Sequence, residues 1–189
     1  MVYTSIEGAS KKIGLIPSIY MIIDAKEFER IYDEFARKIY KYCFFRVSSK
    51  EEAEDISALV FIRAWDHASA GKRVDSVQAF LYRIASNLII DHYRKGRERM
   101  ETTLDDPSHQ IDIEDRSPDL AVISDRELLL KTVRKNIALL PGGYGEVIVL
   151  RYFNDLSVKE IAEILKTKEN NISVRLHRGI EKLKKMISK

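Results

Sequence analysis

The feature that most restricts this chain is the spacing of its apolar residues, which return every three or four positions in segment after segment. Phe28, Ile31, Tyr32, Phe35, Ile39, Tyr42 and Cys43 fall on one face when wound as a helix. Phe80, Leu81, Ile84, Ala85, Leu88 and Ile89 make a wider stripe of the same period. A half-buried strand would need strict apolar–polar alternation, and no stretch of β-formers supplies it. The spacing therefore predicts an all-α chain.

Local signals place the boundaries. Ser48-Ser49 followed by Glu51 and Glu52 predicts a helix start, because a serine oxygen can take an orphan amide and acidic residues suit the positive helix end. That second helix should run to about His67, and Gly71 marks a loop over 69–76. A third helix is expected from near Ser76 to about Arg99. Periodicity is lost over 101–126, which holds Pro107 and Pro118, and resumes near Asp125 with Leu129, Val133, Ile137 and Leu140 on the core side. Pro141-Gly142-Gly143 reads as a stop and turn before a short helix at about Tyr144 to Phe153. The expected organisation is an N-terminal extension (1–23), a helical domain (24–100), a linker (101–126) and a second helical domain (127–189).

Composition bounds the chemistry. Cys43 is the only cysteine among 189 residues, which excludes an internal disulfide, a Cys-based zinc site and an iron–sulfur cluster and fits a reducing compartment. On the apolar face of the first helix it reads as a small buried hydrophobe. The apolar stretch from Ile13 to Ile23 is interrupted by Gly14, Pro17 and Ser18 and is too short to span a bilayer. No cleavage site follows it. The expectation is a cytoplasmic protein without membrane insertion.

The formal net charge of +3 conceals unlike parts. Residues 1–100 carry 17 basic and 14 acidic side chains, 101–127 carry 2 and 9, and 128–189 carry 13 and 6. The segment charges are therefore +3, −7 and +7. Two basic bodies joined by an acidic, self-repelling connector point to nucleic acid as a partner.

No catalytic constellation is present. His67, His92, His109 and His177 show no metal-ligand spacing, and Pro141-Gly142-Gly143-Tyr144-Gly145 lacks the ending of a phosphate loop. The chain reads as a non-enzyme with no metal and no cofactor.

The most informative passage is LSVKEIAEILKTKENNISVRLHRGIEKLKKMI. Ser157 followed by Glu160 predicts a reciprocal capping box. Ile161, Ala162 and Leu165 face inward, a turn falls around Lys166 to Lys168 with Thr167 as a candidate N-cap, and Ile172, Leu176, Ile180 and Leu183 line the next helix. Two helices joined by a tight turn, the second of them basic, make a helix-turn-helix pattern. Asn171, Arg175, Arg178 and Lys182 form the opposite, polar stripe, with Asn170, Ser173 and His177 beside it. Amides and guanidiniums in such a stripe can read base edges in a major groove while cations hold phosphates. A second stripe, Arg83, Asn87, Asp91 and Arg94 followed by Lys95, lies on the third helix. Asp91 there has a local role, pairing with Arg94 or Lys95. Trp65 ends a second helix that is apolar on more than one face, so it can serve core or partner.

Four strings in this order, AEDISALVFIRAW, FLYRIASNLIIDHYRK, LSVKEIAEIL and ISVRLHRGIEKLK, resemble bacterial RNA polymerase sigma factors of the extracytoplasmic-function (ECF) subfamily over about residues 25–189. The resemblance implies two helical domains, sigma regions two and four, joined by the linker. It implies promoter-specific initiation with core RNA polymerase, duplex and melted promoter DNA as ligands, and an anti-sigma partner. The segment Asp55 to Trp65, with Ala58, Leu59 and Ile62, resembles the polymerase-docking helix. Lys72, Arg73 and Asp75 of the loop, with Arg83, Asn87, Arg94 and Lys95, resemble the elements that capture and melt the minus-ten element. Asn170, Asn171, Ser173, Arg175, His177, Arg178 and Lys182 resemble the minus-thirty-five reader.

The chain departs from the family at four places. Ala58, Leu59 and Val60 stand where polar residues are usual, Phe80 where a Trp is common, and Ser86 where an Arg is frequent. The turn LKTKENN lacks the usual glycine. The residues themselves leave one other reading open, a free-standing helix-turn-helix regulator that binds operator DNA without polymerase.

Overall fold

The computed structural model describes residues 24–47, 49–103 and 125–187. Its elements are α1 (Ala25–Phe44), α2 (Lys50–Ser69), α3 (Val77–Thr103), α4 (Asp125–Ala138), α5 (Tyr144–Ile148), a π-helical segment (Val149–Phe153), α6 (Val158–Ile164) and α7 (Glu169–Ile187). Every regular element among the described residues is helical. The expected extension, and the linker between 104 and 124, lie outside them.

The helices begin where the sequence offers an oxygen to orphan amides. Asp24 accepts from the Glu27 amide at 2.8 Å, and the Ser76 hydroxyl accepts from the Ala79 amide at 3.2 Å. At α2 the Ser49 hydroxyl accepts from the Glu52 amide at 3.0 Å while the Glu52 carboxylate accepts from the Ser49 amide at 3.0 Å. This capping box holds the helix start through both partners. Gly71, Gly142 and Gly143 have φ of 65°, 65° and 75°, the left-handed region that a side chain disfavours, and they turn the chain after α2 and before α5.

Helices α1, α2 and α3 pack on one another around Ile39, Tyr42, Val60, Leu81, Tyr82 and Ile89, all nearly or wholly shielded from solvent. Each such aliphatic side chain contributes about 1.5–3 kcal/mol by leaving water. Cys43 lies among them, and burial pushes its thiol pKa up to about 12. Helices α4 to α7 enclose a second group in which Ile137, Val147, Leu150, Ile161 and Ile172 are buried.

The two groups are not held apart. Helix α6 packs on α3, the π-helical segment packs on α1, and the buried apolar residues of both groups form one continuous cluster. The Phe45 and Phe153 rings lie 3.9 Å apart across this junction, and the Arg134 guanidinium sits 4.0 Å above the Phe44 ring. Arg134 also donates to the Val47 carbonyl at 2.8 Å.

Local details correct the expectations. Helix α2 continues to Ser69 and α3 to Thr103. The short helix expected at Tyr144 to Phe153 changes to π geometry halfway, and Asp155 takes a left-handed φ of 58° just beyond it. Leu129 was expected on the core side but is 58% exposed, because α4 turns Val133 and Ile137 inward instead, with Leu140 buried just beyond the helix end. Thr167 does not cap α7. That helix begins at Glu169, and the Thr167 hydroxyl accepts from the Asn171 side-chain amide at 3.1 Å. Of the predicted apolar stripe, Ile172 and Leu176 are buried, whereas Ile180 and Leu183 are half-buried.

Candidate nucleic-acid interface

The helix-turn-helix is built from α6, its turn and α7. Ser157 and Glu160 form the predicted capping box, with the Glu160 amide donating to the Ser157 hydroxyl at 3.2 Å and the Ser157 amide donating to the Glu160 carboxylate at 2.8 Å. The Ser157 hydroxyl also donates to that carboxylate at 2.6 Å. Hydrogen bonds from Ser157, first the hydroxyl and then the amide, lower the Glu160 pKa. In the turn, where glycine is absent, Lys166 itself adopts the left-handed conformation with φ of 49°. An L-residue pays roughly 1–2 kcal/mol for that geometry.

Helix α7 seats on α5 through a small residue that the apolar pattern did not reveal. Gly179 is buried, and a Cβ there would lie 3.1 Å from Ile148 Cδ1 and 3.2 Å from Tyr144 Cβ. Gly145 is tighter, since a Cβ would meet the Ile137 carbonyl oxygen at 2.5 Å. The signal for both was a glycine inside a helical stretch, which marks close backbone approach as readily as weakness.

This seating turns the predicted stripe outward. Asn170, Asn171, Ser173, His177, Arg178 and Lys182 are exposed, and Arg175 is half-buried beside Gly143. The Ser173 hydroxyl donates back to the Glu169 carbonyl at 3.2 Å, and His177 faces Glu181 at 3.6 Å. Lys182 reaches over the Tyr144 ring at 6.0 Å. Arg178 is exposed at the middle of the helix.

On α3, Asn87, Arg94 and Lys95 are exposed and Arg83 is half-buried. Arg94 pairs with Asp91 at 3.1 Å, the local role expected for that carboxylate. Lys72, Arg73 and Asp75 are exposed on the α2–α3 loop, which Val74 anchors by its burial. His67 closes the loop base, stacking on Phe80 at 4.6 Å, with a ring nitrogen 3.5 Å from the Arg73 carbonyl.

A third surface lies on α2. Asp55, Ala58, Leu59, Ile62 and Trp65 are all exposed and follow one another at helical steps. Ile62 is 55% exposed, while Val60, Phe61 and Ala64 on the other side of the same helix are buried. Trp65 sits edge-on to Phe28 at 5.0 Å, and Tyr32 edge-on to Phe61 at 4.8 Å. Helix α2 thus does fill the core on one side and show an apolar row on the other.

Among the described residues no group of His, Cys, Asp and Glu could hold a metal ion, and no helix is long and apolar enough to cross a membrane.

A three-helix body is followed by a helix-turn-helix body, and each carries an exposed basic face. The Sigma-70 region 2 family model matches residues 31–99, and the Sigma-70 region 4 model matches residues 130–183, which sets the class. The chain is 36% identical to the ECF RNA polymerase sigma factor SigW of Bacillus subtilis over 87% of this chain and 90% of that one. It is 30% identical to the ECF sigma factor BldN of Streptomyces coelicolor over 87% of this chain, spanning 61% of that longer protein. In fold it is similar to the sigma factor RpoE solved with the anti-sigma factor NepR from Bartonella quintana, with a TM-score of 0.65 at 20% identity over 86% of this chain and 98% of that one. It is likewise similar to CnrH solved with the cytosolic domain of CnrY, with a TM-score of 0.62 at 19% identity over 87% and 90% of the two chains. This chain belongs to the ECF RNA polymerase sigma factors.

Proposed function

We propose that this sigma factor directs core RNA polymerase to promoters read in two parts. Helix α7 enters the major groove of the minus-thirty-five element. There Arg178, Arg175 and Asn171 face base edges and Lys182 and Ser173 face phosphates. Helix α3 and the preceding loop take the minus-ten element, with Asn87 offering both a donor and an acceptor to an unpaired base and Arg83, Arg94, Lys72 and Arg73 meeting the backbone. Flipping a base out of the stack costs a few kcal/mol, so contacts to polymerase must help to offset it. The exposed α2 row of Leu59, Ile62 and Trp65 supplies that docking contact. Neighbours in fold were solved with anti-sigma factors, and the same kind of partner is expected to restrain this chain.

One observation carries the reading: apart from half-buried Arg83 and Arg175, the cations and amides of the two basic stripes are exposed, as is the apolar row, and each lies on a different helix. The test is run-off transcription with core polymerase across a genomic promoter library. Arg178→Ala should cost about 1–3 kcal/mol in promoter affinity if the guanidinium is bidentate to a base. It should weaken preference at one minus-thirty-five position and leave the minus-ten consensus intact. Undiminished transcription by Arg178→Ala and Asn87→Ala together would overturn the assignment.

A further inference from the structure

Helix α7 carries an aliphatic residue in the middle of its polar face. Val174 is 41% exposed. On a helix the surface neighbours of a residue lie three and four positions away. Here they are Asn170 and Asn171 on one side and His177 and Arg178 on the other, and all four are exposed. Ile172, Leu176 and Gly179, which seat the helix, lie on the opposite side and are buried. Between Glu169 and Lys182, Val174 is the one apolar residue that is exposed.

Nothing within the fold calls for valine at this position. It stands apart from the buried apolar cluster and from the residues packed against it. A β-branched side chain is also a poorer helix former than the Lys, Arg and Glu that occupy other exposed positions of α7.

A duplex that meets both Asn171 and Arg178 must also meet Val174. The two flanking residues are separated by about 10 Å of helix axis, about three base-pair steps, with Val174 between them. In the major groove every base edge shows hydrogen-bond donors or acceptors, and thymine adds a C5 methyl. An apolar branch pressed on an amino group, a carbonyl oxygen or a ring nitrogen strips water from it and returns no hydrogen bond. Pressed on the methyl, it buries apolar surface of both partners.

We propose that Val174 is a specificity-determining residue that selects a thymine, on either strand, within the bases spanned by Asn171 and Arg178, through contact with the C5 methyl. Thymine and 5-methylcytosine share that methyl, whereas uracil and cytosine lack it. The inference rests on major-groove reading by α7 and deepens it by naming a group that is read without a hydrogen bond.

The methyl can be removed without altering base pairing. Holoenzyme formed with core polymerase is measured for affinity on a promoter recovered from the run-off library, with each thymine of the minus-thirty-five element replaced in turn by deoxyuridine. Wild type should lose about three- to five-fold at one position, the loss expected for one unburied methyl, and be nearly unchanged at the others. Cytosine at that position should cost about ten-fold, and 5-methylcytosine should recover part of the loss. Val174→Ser, with a helix propensity close to that of valine, should keep the melting temperature and lose the distinction between thymine and uracil. Uracil tolerated by wild type at every minus-thirty-five thymine, or Val174→Ser showing the same uracil penalty as wild type, overturns the inference. A scrambled minus-thirty-five element bound by wild type as tightly as the intact one overturns instead the promoter reading on which it rests.

Discussion

The hydroxyl of Tyr42 donates to the carboxylate of Glu146 at 2.7 Å across 104 positions of chain. Burial, reinforced by the Glu146 charge, raises the Tyr42 pKa well above the ordinary phenol range, so the phenol remains a donor throughout physiological pH. A hydrogen bond to a charged group contributes about 1.5–3 kcal/mol. Tyr42→Phe should therefore lower the free energy holding the domains together by an amount within that range. Urea unfolding followed by probes in each domain should show the domains separating earlier, with an intermediate absent from wild type.

The Asn154 side chain is imperfectly satisfied at the same junction. Its amide nitrogen makes two hydrogen bonds, but its carbonyl oxygen is buried with no partner among protein groups. Such an oxygen costs about 1–3 kcal/mol, recovered when water reaches it. Asn154→Leu should weaken the junction, because it removes the bonds to the Lys38 carbonyl and the buried Tyr82 hydroxyl, and Asn154→Asp should weaken it by burying a charge. Amide hydrogen exchange in α6 and the end of α1 would rank the three proteins.

Glycines offer an internal comparison of close packing. Gly145→Ala should destabilise most, because the new methyl meets the backbone oxygen of Ile137 at 2.5 Å. Gly179→Ala should cost about 1–3 kcal/mol, since Ile148 and Tyr144 must shift and α7 must rise from its seat. Gly96 lies exposed in α3 with open space around it, so Gly96→Ala should stabilise by about 0.5–1 kcal/mol. Thermal melts of the three variants that do not follow this order would refute the packing described for α5 and α7.

The Ser157 and Glu160 box predicts a pH effect of known sign. Glu160 has a lowered folded pKa, so its stabilising effect is present above the unfolded carboxylate pKa and lost as pH falls through the folded one. Ser157→Ala should lower stability at neutral pH by about 1 kcal/mol, as for lost N-caps generally. The gap between wild type and variant should narrow on acidification through the carboxylate range, as read from denaturant midpoints at several pH values.

Ile62 and Cys43 test opposite sides of the first domain. Ile62 is 55% exposed, so Ile62→Glu should leave the melting temperature nearly unchanged and reduce binding to core polymerase by about ten-fold or more. Cys43 is wholly buried with its pKa pushed up to about 12, so native protein should resist maleimide until denaturant opens the core.

Much of this was legible in the chain. Helix existence followed from apolar spacing, and helix starts from Ser49, Ser76 and Ser157, because a cap is a local bond between residues three apart. The exposed stripes on α3 and α7 followed from the same periodicity. Leu129 was misplaced because a short helix with apolar residues at successive positions has no unique inward face until a neighbour is present. Gly179 and Lys166 were missed for a related reason, since the need for a small residue or a left-handed turn depends on what approaches it.

The sequence by itself determined the helices, the caps at Ser49 and Ser157, the family and most of the solvent-facing residues on α3 and α7, all of which depend on contacts within a few turns. Only the tertiary structure decided that Ser86 faces Glu146, that Phe45 stacks on Phe153 and that the two domains close on each other. Those pairings join residues 60 or more positions apart, as with Ser86 and Glu146. No local period encodes them, because a long-range contact is selected by the shapes and charges of two folded surfaces rather than by spacing along either.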